Sequence, residues 1–203
     1  AVIKRLLKAR ADPNRRDKRG ESAFSRAVKR GKPKLVTLLL EHGAKASQRD
    51  DSGVSMLMVA IGDRQAEIVQ ILLDAGADVS AKTDDGRTAF LRAAENGFSK
   101  GVSLLLQQGV AVNQMDKRGW TALMLAAKNG HVKTVDVLLK AEASAKESIN
   151  AQNEYGDTAL MIASNVGKTE AVKSLLLAGA DVQRRNKQDW TALMFAAAKG
   201  HLA

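Results

Sequence analysis

One unit of sequence returns six times along the chain, and this repetition constrains the fold more than anything else in it. Gly20, Gly53, Gly86, Gly119 and Gly156 each precede a short apolar run, at spacings of 33, 33, 33 and 37 residues, and Asp189 continues the series after another 33. A period in this range marks a stack of small supersecondary units, none of which buries its apolar face without its neighbours.

Each unit reads alike. Two residues after the glycine stands a hydroxyl: Ser22, Ser55, Thr88, Thr121, Thr158 or Thr191. Its oxygen is suited to accept from a free N–H in the first turn of a helix. An alanine follows at fixed offset (Ala27, Ala60, Ala93, Ala126, Ala163, Ala196), and then Gly31, Gly97, Gly130, Gly167 or Gly200, with Arg64 as the exception. Val36, Val69, Val102, Val135 and Val172 hold one register in a second segment and precede leucine pairs such as Leu72-Leu73 and Leu105-Leu106. That is the spacing of a helix with one buried stripe, so each of these valines is expected to be helical and buried. Gly43, Gly76, Gly109 and Gly179 close the second helix, where a left-handed cap is needed.

The pattern D-x-x-G-x-T-A-L-M-x-A-A-x-x-G-H-x-x-x-V-x-x-L-L resembles the ankyrin repeat position by position, most closely over residues 116–139, DKRGWTALMLAAKNGHVKTVDVLL. The resemblance covers essentially the whole chain. It implies an all-α, gently curved solenoid of antiparallel helix pairs with hairpin-like loops projecting from one edge. The expected division is one domain with full repeats at 17–49, 50–82, 83–115, 116–152 and 153–185, flanked by partial repeats at 1–16 and 186–203. The family's proline after the capping hydroxyl is Ala or Met here. Its histidine two positions later is Ser25, Met58, Leu91, Met124, Met161 or Met194, and a buried methionine ladder through Met124, Met161 and Met194 is expected instead.

Ile3, Leu6 and Leu7 are expected to form the core stripe of a lone second helix at the N-terminal end, while Leu193 and its neighbours lack a partner helix at the other. The chain begins without Met and in mid-repeat, which reads as a piece of a longer array. The four-residue insertion is placed around Ala145–Ser148. Without cysteine there are neither disulfides nor thiolate metal sites. No apolar run approaches the roughly 18 residues of a membrane span. A soluble, monomeric chain is expected, with a cytoplasmic location favoured over export.

Residues 1–34 hold 13 Lys/Arg against 3 Asp/Glu, which accounts for the whole net charge of +10. Such an excess suits a polyanion or an acidic partner, and equally a solubilising cap. Nucleic acid is disfavoured, because Lys4, Arg5 and Lys8 lie on a second helix, Lys18 and Arg19 at a hairpin tip, and Lys29 and Arg30 near the end of a first helix, with no continuous basic track. Catalysis has no evident seat. His42, His131 and His201 all have structural places at helix ends, and no phosphate loop, dinucleotide motif, nucleophile elbow or zinc-protease motif occurs. No cofactor or metal is expected.

The residues left for recognition line the hairpins and the first helices. The resemblance assigns these positions to partner binding: Lys18, Arg19, Lys29 and Arg30, then Asp51, Asp84, Asp85 and Arg87, then Lys117, Arg118, Trp120 and Lys128, then Tyr155, Asp157 and Trp190. Trp120, Trp190 and Tyr155 are the only Trp and Tyr residues, and these types are favoured as interface anchors. Arg87 reads as a solvated hairpin residue, replaceable within about 0.5 kcal/mol. The expected function is non-catalytic binding of a folded protein, as a scaffold or a stoichiometric enzyme inhibitor. The alternatives are polyanion binding by the basic N-terminal segment, or targeting for an enzyme whose catalytic part lies outside these residues.

Overall fold

The computed structural model describes residues 2–142 and 148–202. Six first helices begin where the sequence puts a hydroxyl: α2 (Ala23–Lys29), α4 (Met56–Gly62), α6 (Ala89–Glu95), α8 (Ala122–Lys128), α10 (Ala159–Asn165) and α12 (Ala192–Lys199). In every one the hydroxyl of the residue before the helix accepts from the backbone N–H three residues on, as Thr121 does from Met124 at 3.2 Å. The second helices are α1 (Val2–Lys8), α3 (Pro33–Glu41), α5 (Ala66–Asp74), α7 (Ser99–Gln107), α9 (Val132–Glu142) and α11 (Thr169–Leu177). Extended pairing among the described residues is confined to the isolated bridges Arg49–Ser55 and Met115–Thr121, so the fold is all-α.

The chain forms two compact units, one ending at Asp84 and one starting at Asp85. In the first, α2 pairs with α3 and α4 with α5, while α2 packs on α4 and α3 on α5. Val36 and Val69 are fully buried there. Of the expected stripe on α1 only Leu7 is buried. Ile3 and Leu6 remain exposed because no first helix in the described chain pairs with α1.

In the second unit α6, α8, α10 and α12 form one layer and α7, α9 and α11 the other, each first helix except α12 paired with the second helix that follows it. Val102 and Val135 are fully buried; Val172 is half-buried, since among the described residues no second helix stacks on the far side of α11. The methionine ladder holds at Met124 and Met161, both 1% exposed, and fails at Met194, which is 48% exposed. Met194 and Leu193 lie on a face of α12 that no other described helix covers. The expected insertion falls mostly outside the described residues. Its last residue, Ser148, opens a 3-10 turn over Ser148–Asn150 that buries Ile149.

The turns that open on Asp or Asn repeat one hydrogen-bond scheme. A carboxylate or amide oxygen at the first position accepts two backbone N–H groups: Asp50 from Ser52 and Val54, Asp116 from Arg118 and Trp120, Asn153 from Tyr155 and Asp157, Asn186 from Gln188 and Trp190. At Asp17 the N–H groups of Glu21 and Arg19 hold the carboxyl below its ordinary range. In the second unit successive turns also bond to one another, Lys117 N–H to Asp85 at 3.2 Å, Glu154 N–H to Arg118 at 2.9 Å and Lys187 N–H to Tyr155 at 3.0 Å. This approach explains Gly156, where a Cβ would stand 2.7 Å from the Lys187 nitrogen.

The histidines are structural. His42 Nδ1 meets the Leu38 carbonyl at 2.9 Å in the last turn of α3, and His131 Nε2 donates to the Glu95 carbonyl at 3.0 Å, tying the start of α9 to the end of α6. His201 does the same to Asn165 at 3.2 Å. The pinned His131 ring leaves no room beside Gly97, whose φ is +64° and whose Cβ would lie 2.5 Å from the ring. Gly97→Ala is therefore expected to destabilise by about 1–3 kcal/mol through left-handed strain and overpacking together. Gly109→Ala, with a φ of +76° and open space around it, should suffer only the strain, about 1 kcal/mol. Equal urea midpoints for the two variants would contradict this packing of His131.

Candidate functional site

The expected recognition residues separate into two groups, one in each unit. In the first unit Lys18, Arg19, Lys29, Arg30, Asp51 and Asp84 are all exposed. Several of their charges are met locally: Lys29 pairs with Glu21 at 2.9 Å and Asp51 with Arg16 at 2.6 Å. Arg26, unremarked in the sequence, bridges Asp17 at 2.6 Å and Glu21 at 3.1 Å. A shallow groove of about 680 Å3 lies between α1 and α3, lined by Val2, Ile3, Lys4, Leu35 and Leu38 among others. It carries no aromatic ring and none of the expected residues.

The second unit gathers its residues more tightly. Trp120, Lys128, Tyr155 and Asp157 line one pocket of about 200 Å3, joined by Phe195 from α12 and by Met161 and Ile162 from α10. Lys128 Nζ stands 5.1 Å from the centroid of the Trp120 ring. Arg118 lies 5.4 Å from the Tyr155 centroid and donates to both the Tyr155 hydroxyl and the Glu154 carboxylate. Glu154 raises the guanidinium's pKa above its ordinary value, and Arg118 in turn holds Glu154 below the usual carboxylate range. Tyr155 remains 41% exposed and Trp190 39%. Trp190 lies outside the pocket but packs on Phe195, ring centroids 5.0 Å apart at 51°. Lys117 and Asp85 are exposed on their turns.

Arg87 departs from the sequence reading. Its guanidinium turns inward, bonding Glu95 at 2.7 Å and the buried Asp116 carboxylate at 3.0 Å. Burial lowers its pKa, but the two carboxylates more than offset that and the net shift is upward. Its replacement is not a surface change: Arg87→Ala strips a charged partner from buried Asp116 and is expected to cost about 1–3 kcal/mol. A denaturant midpoint within error of the parent's would show the bond to be dispensable.

The residue after each turn glycine is Glu21, Val54, Arg87, Trp120 or Asp157. In the second unit this position reaches the first residue of the following turn, Arg87 meeting Asp116 and Asp157 meeting Asn186 Nδ2 at 2.7 Å. Trp120 is the exception. An indole is a donor only, and Asn153 Nδ2, at the position where Asn186 finds Asp157, is buried without a partner. An acidic residue at 120 would suit the fold better, so the ring is there at a cost in polar satisfaction.

Phe195 and Ile162 were not singled out from the sequence. Both stand four residues after their capping hydroxyl, in the column Arg26, Val59, Arg92, Leu125, Ile162, Phe195, which turns wholly apolar in its last three members. That column was the available signal. Among the described residues no cluster of three His, Cys, Asp or Glu side chains is arranged to hold a metal, and no helix is long and apolar enough to cross a membrane.

The sequence profile described as "Ankyrin repeats (3 copies)" matches residues 1–83, 76–147 and 143–203. The chain belongs to the ankyrin-repeat family. Among solved structures it is similar to the ankyrin repeat domain of Bcl-3, a member of the IkappaB protein family, at 28% identity and a TM-score of 0.82 over 96% of this chain and 86% of that one. It is also similar to the human ASB11 ankyrin repeat domain, at 26% identity and a TM-score of 0.85 over 98% of this chain and 87% of that one. A search of curated proteins finds no match. An ankyrin repeat domain is generally a protein-binding module and typically non-catalytic.

Proposed function

We propose that this ankyrin repeat domain is a non-catalytic interaction module that binds a folded protein through its turn tips and first-helix faces, acting as a scaffold or a stoichiometric inhibitor. The observation that carries the reading is Trp120. It occupies a position where its counterparts Arg87 and Asp157 serve the fold, leaves the buried Asn153 Nδ2 without a partner, and joins exposed Tyr155 around one pocket. A large ring kept at such a cost supports a role in binding. Lys117, Arg118 and Lys128 beside it supply the charge that orients a partner.

A second reading, a polyanion held by residues 1–34, draws support from the excess of 13 Lys/Arg over 3 Asp/Glu in that stretch. The ion pairs of Arg16, Arg26 and Lys29 subtract from it. The test is capture from lysate on the immobilised chain, with mass spectrometry, nuclease treatment and a salt series. A nuclease-resistant protein partner retained at moderate salt supports the module. Material removed by nuclease, or released steeply as salt rises, supports the polyanion reading instead.

A further inference from the structure

We infer that the pocket between Trp120, Tyr155 and Phe195 receives one large apolar side chain from an acidic stretch of a protein partner, with a carboxylate of that stretch meeting Lys128. This rests on the interaction-module reading and adds the chemistry of what the module takes.

Size comes first. The pocket holds about 200 Å3, below the roughly 300–1,000 Å3 of small-molecule sites, and matches a single side chain better than a metabolite. Three rings with Met161 and Ile162 line it, so an apolar occupant leaves water for a largely apolar surface.

Charge then selects the neighbour of that anchor. Lys128 Nζ lies over the Trp120 ring and has no carboxylate within 4.0 Å among the described residues. Two other charges at this edge are already engaged: Asp157 accepts from Asn186, and Arg118 is shared between Glu154 and the Tyr155 hydroxyl. A cationic occupant is opposed, because Lys128 already covers the Trp120 face. The residues from Asp85 onward carry 15 Lys/Arg against 11 Asp/Glu, a field that draws in an acidic chain.

The test selects a phage-displayed random peptide library against the intact chain and repeats the selection against Lys128→Glu and Phe195→Ala. Enriched peptides are expected to carry Phe, Trp or Leu flanked by Asp or Glu. A synthetic peptide of the most enriched sequence should bind Phe195→Ala at least about tenfold more weakly. Selection on Lys128→Glu should shift the flanks toward Lys or Arg, a readout that loss of folding does not produce at an exposed residue. Three outcomes overturn the inference: no enrichment above background, apolar peptides without acidic flanks, or a peptide that binds both variants as tightly as the parent. If the peptides fail while a protein captured from lysate is still lost on Trp120→Ala, the occupant is wrong and the module stands. If no protein is captured at all, the module reading fails as well.

Discussion

Leu105→Ala is expected to lower the free energy of unfolding by about 2–5 kcal/mol, the range for truncating a fully buried leucine. Leu105 is completely inaccessible in α7, which packs on its own partner α6 and on α9 of the following pair. In a stack, stability is carried by contacts within each pair and between neighbours, so one truncation in the middle weakens both. Lys100→Ala, on the exposed side of the same helix, should stay within about 0.5 kcal/mol. The comparison is read in equilibrium urea melts, and equal shifts for the two variants would mean that the faces of α7 are reversed.

Much of this fold was legible because each structural task recurs at one offset. The capping hydroxyls, the turn Asp or Asn, and the valines fill columns that the repeat aligns, and the structure uses them as their chemistry suggests, with Val172 alone of the valines only half-buried. Histidine at the start of α9 was likewise readable as structural, although its clamp against Gly97 arises only in the folded chain. What escaped lies where a column varies. The position after the turn glycine changes from Glu to Val, Arg, Trp and Asp, so no rule of spacing reveals that Arg87 reaches Asp116, a residue 29 positions away. Met194 was misread for the opposite reason. Its column is mostly methionine, but burial there depends on a neighbouring helix, and no other described helix covers that face of α12. Phe195 is not legible from the hairpin positions, because it stands on α12 and reaches the pocket only through the packing of that helix.

The largest effect on binding is expected at Trp120. Truncating an aromatic anchor at the centre of an interface commonly costs about 1–4 kcal/mol, and Trp120 contributes both ring surface and the platform on which Lys128 rests. Tyr155 forms another part of the same pocket and holds the Arg118 guanidinium through its hydroxyl, so Tyr155→Ala should weaken binding in the same range. Neither change removes a fully buried side chain, and both variants should keep the parent's helical circular dichroism.

Calorimetric titration of the captured partner into the parent, Trp120→Ala, Tyr155→Ala and a triple charge reversal at Lys4, Arg5 and Lys8 tests the account most directly. The reversals lie on α1 in the first unit, whereas the pocket is lined by residues of the second. The account predicts that each aromatic truncation weakens affinity by about tenfold or more, with the reversals leaving it nearly unchanged. Abolition of binding by the reversals, with both truncations binding as the parent does, would contradict it and assign recognition to the basic N-terminal segment.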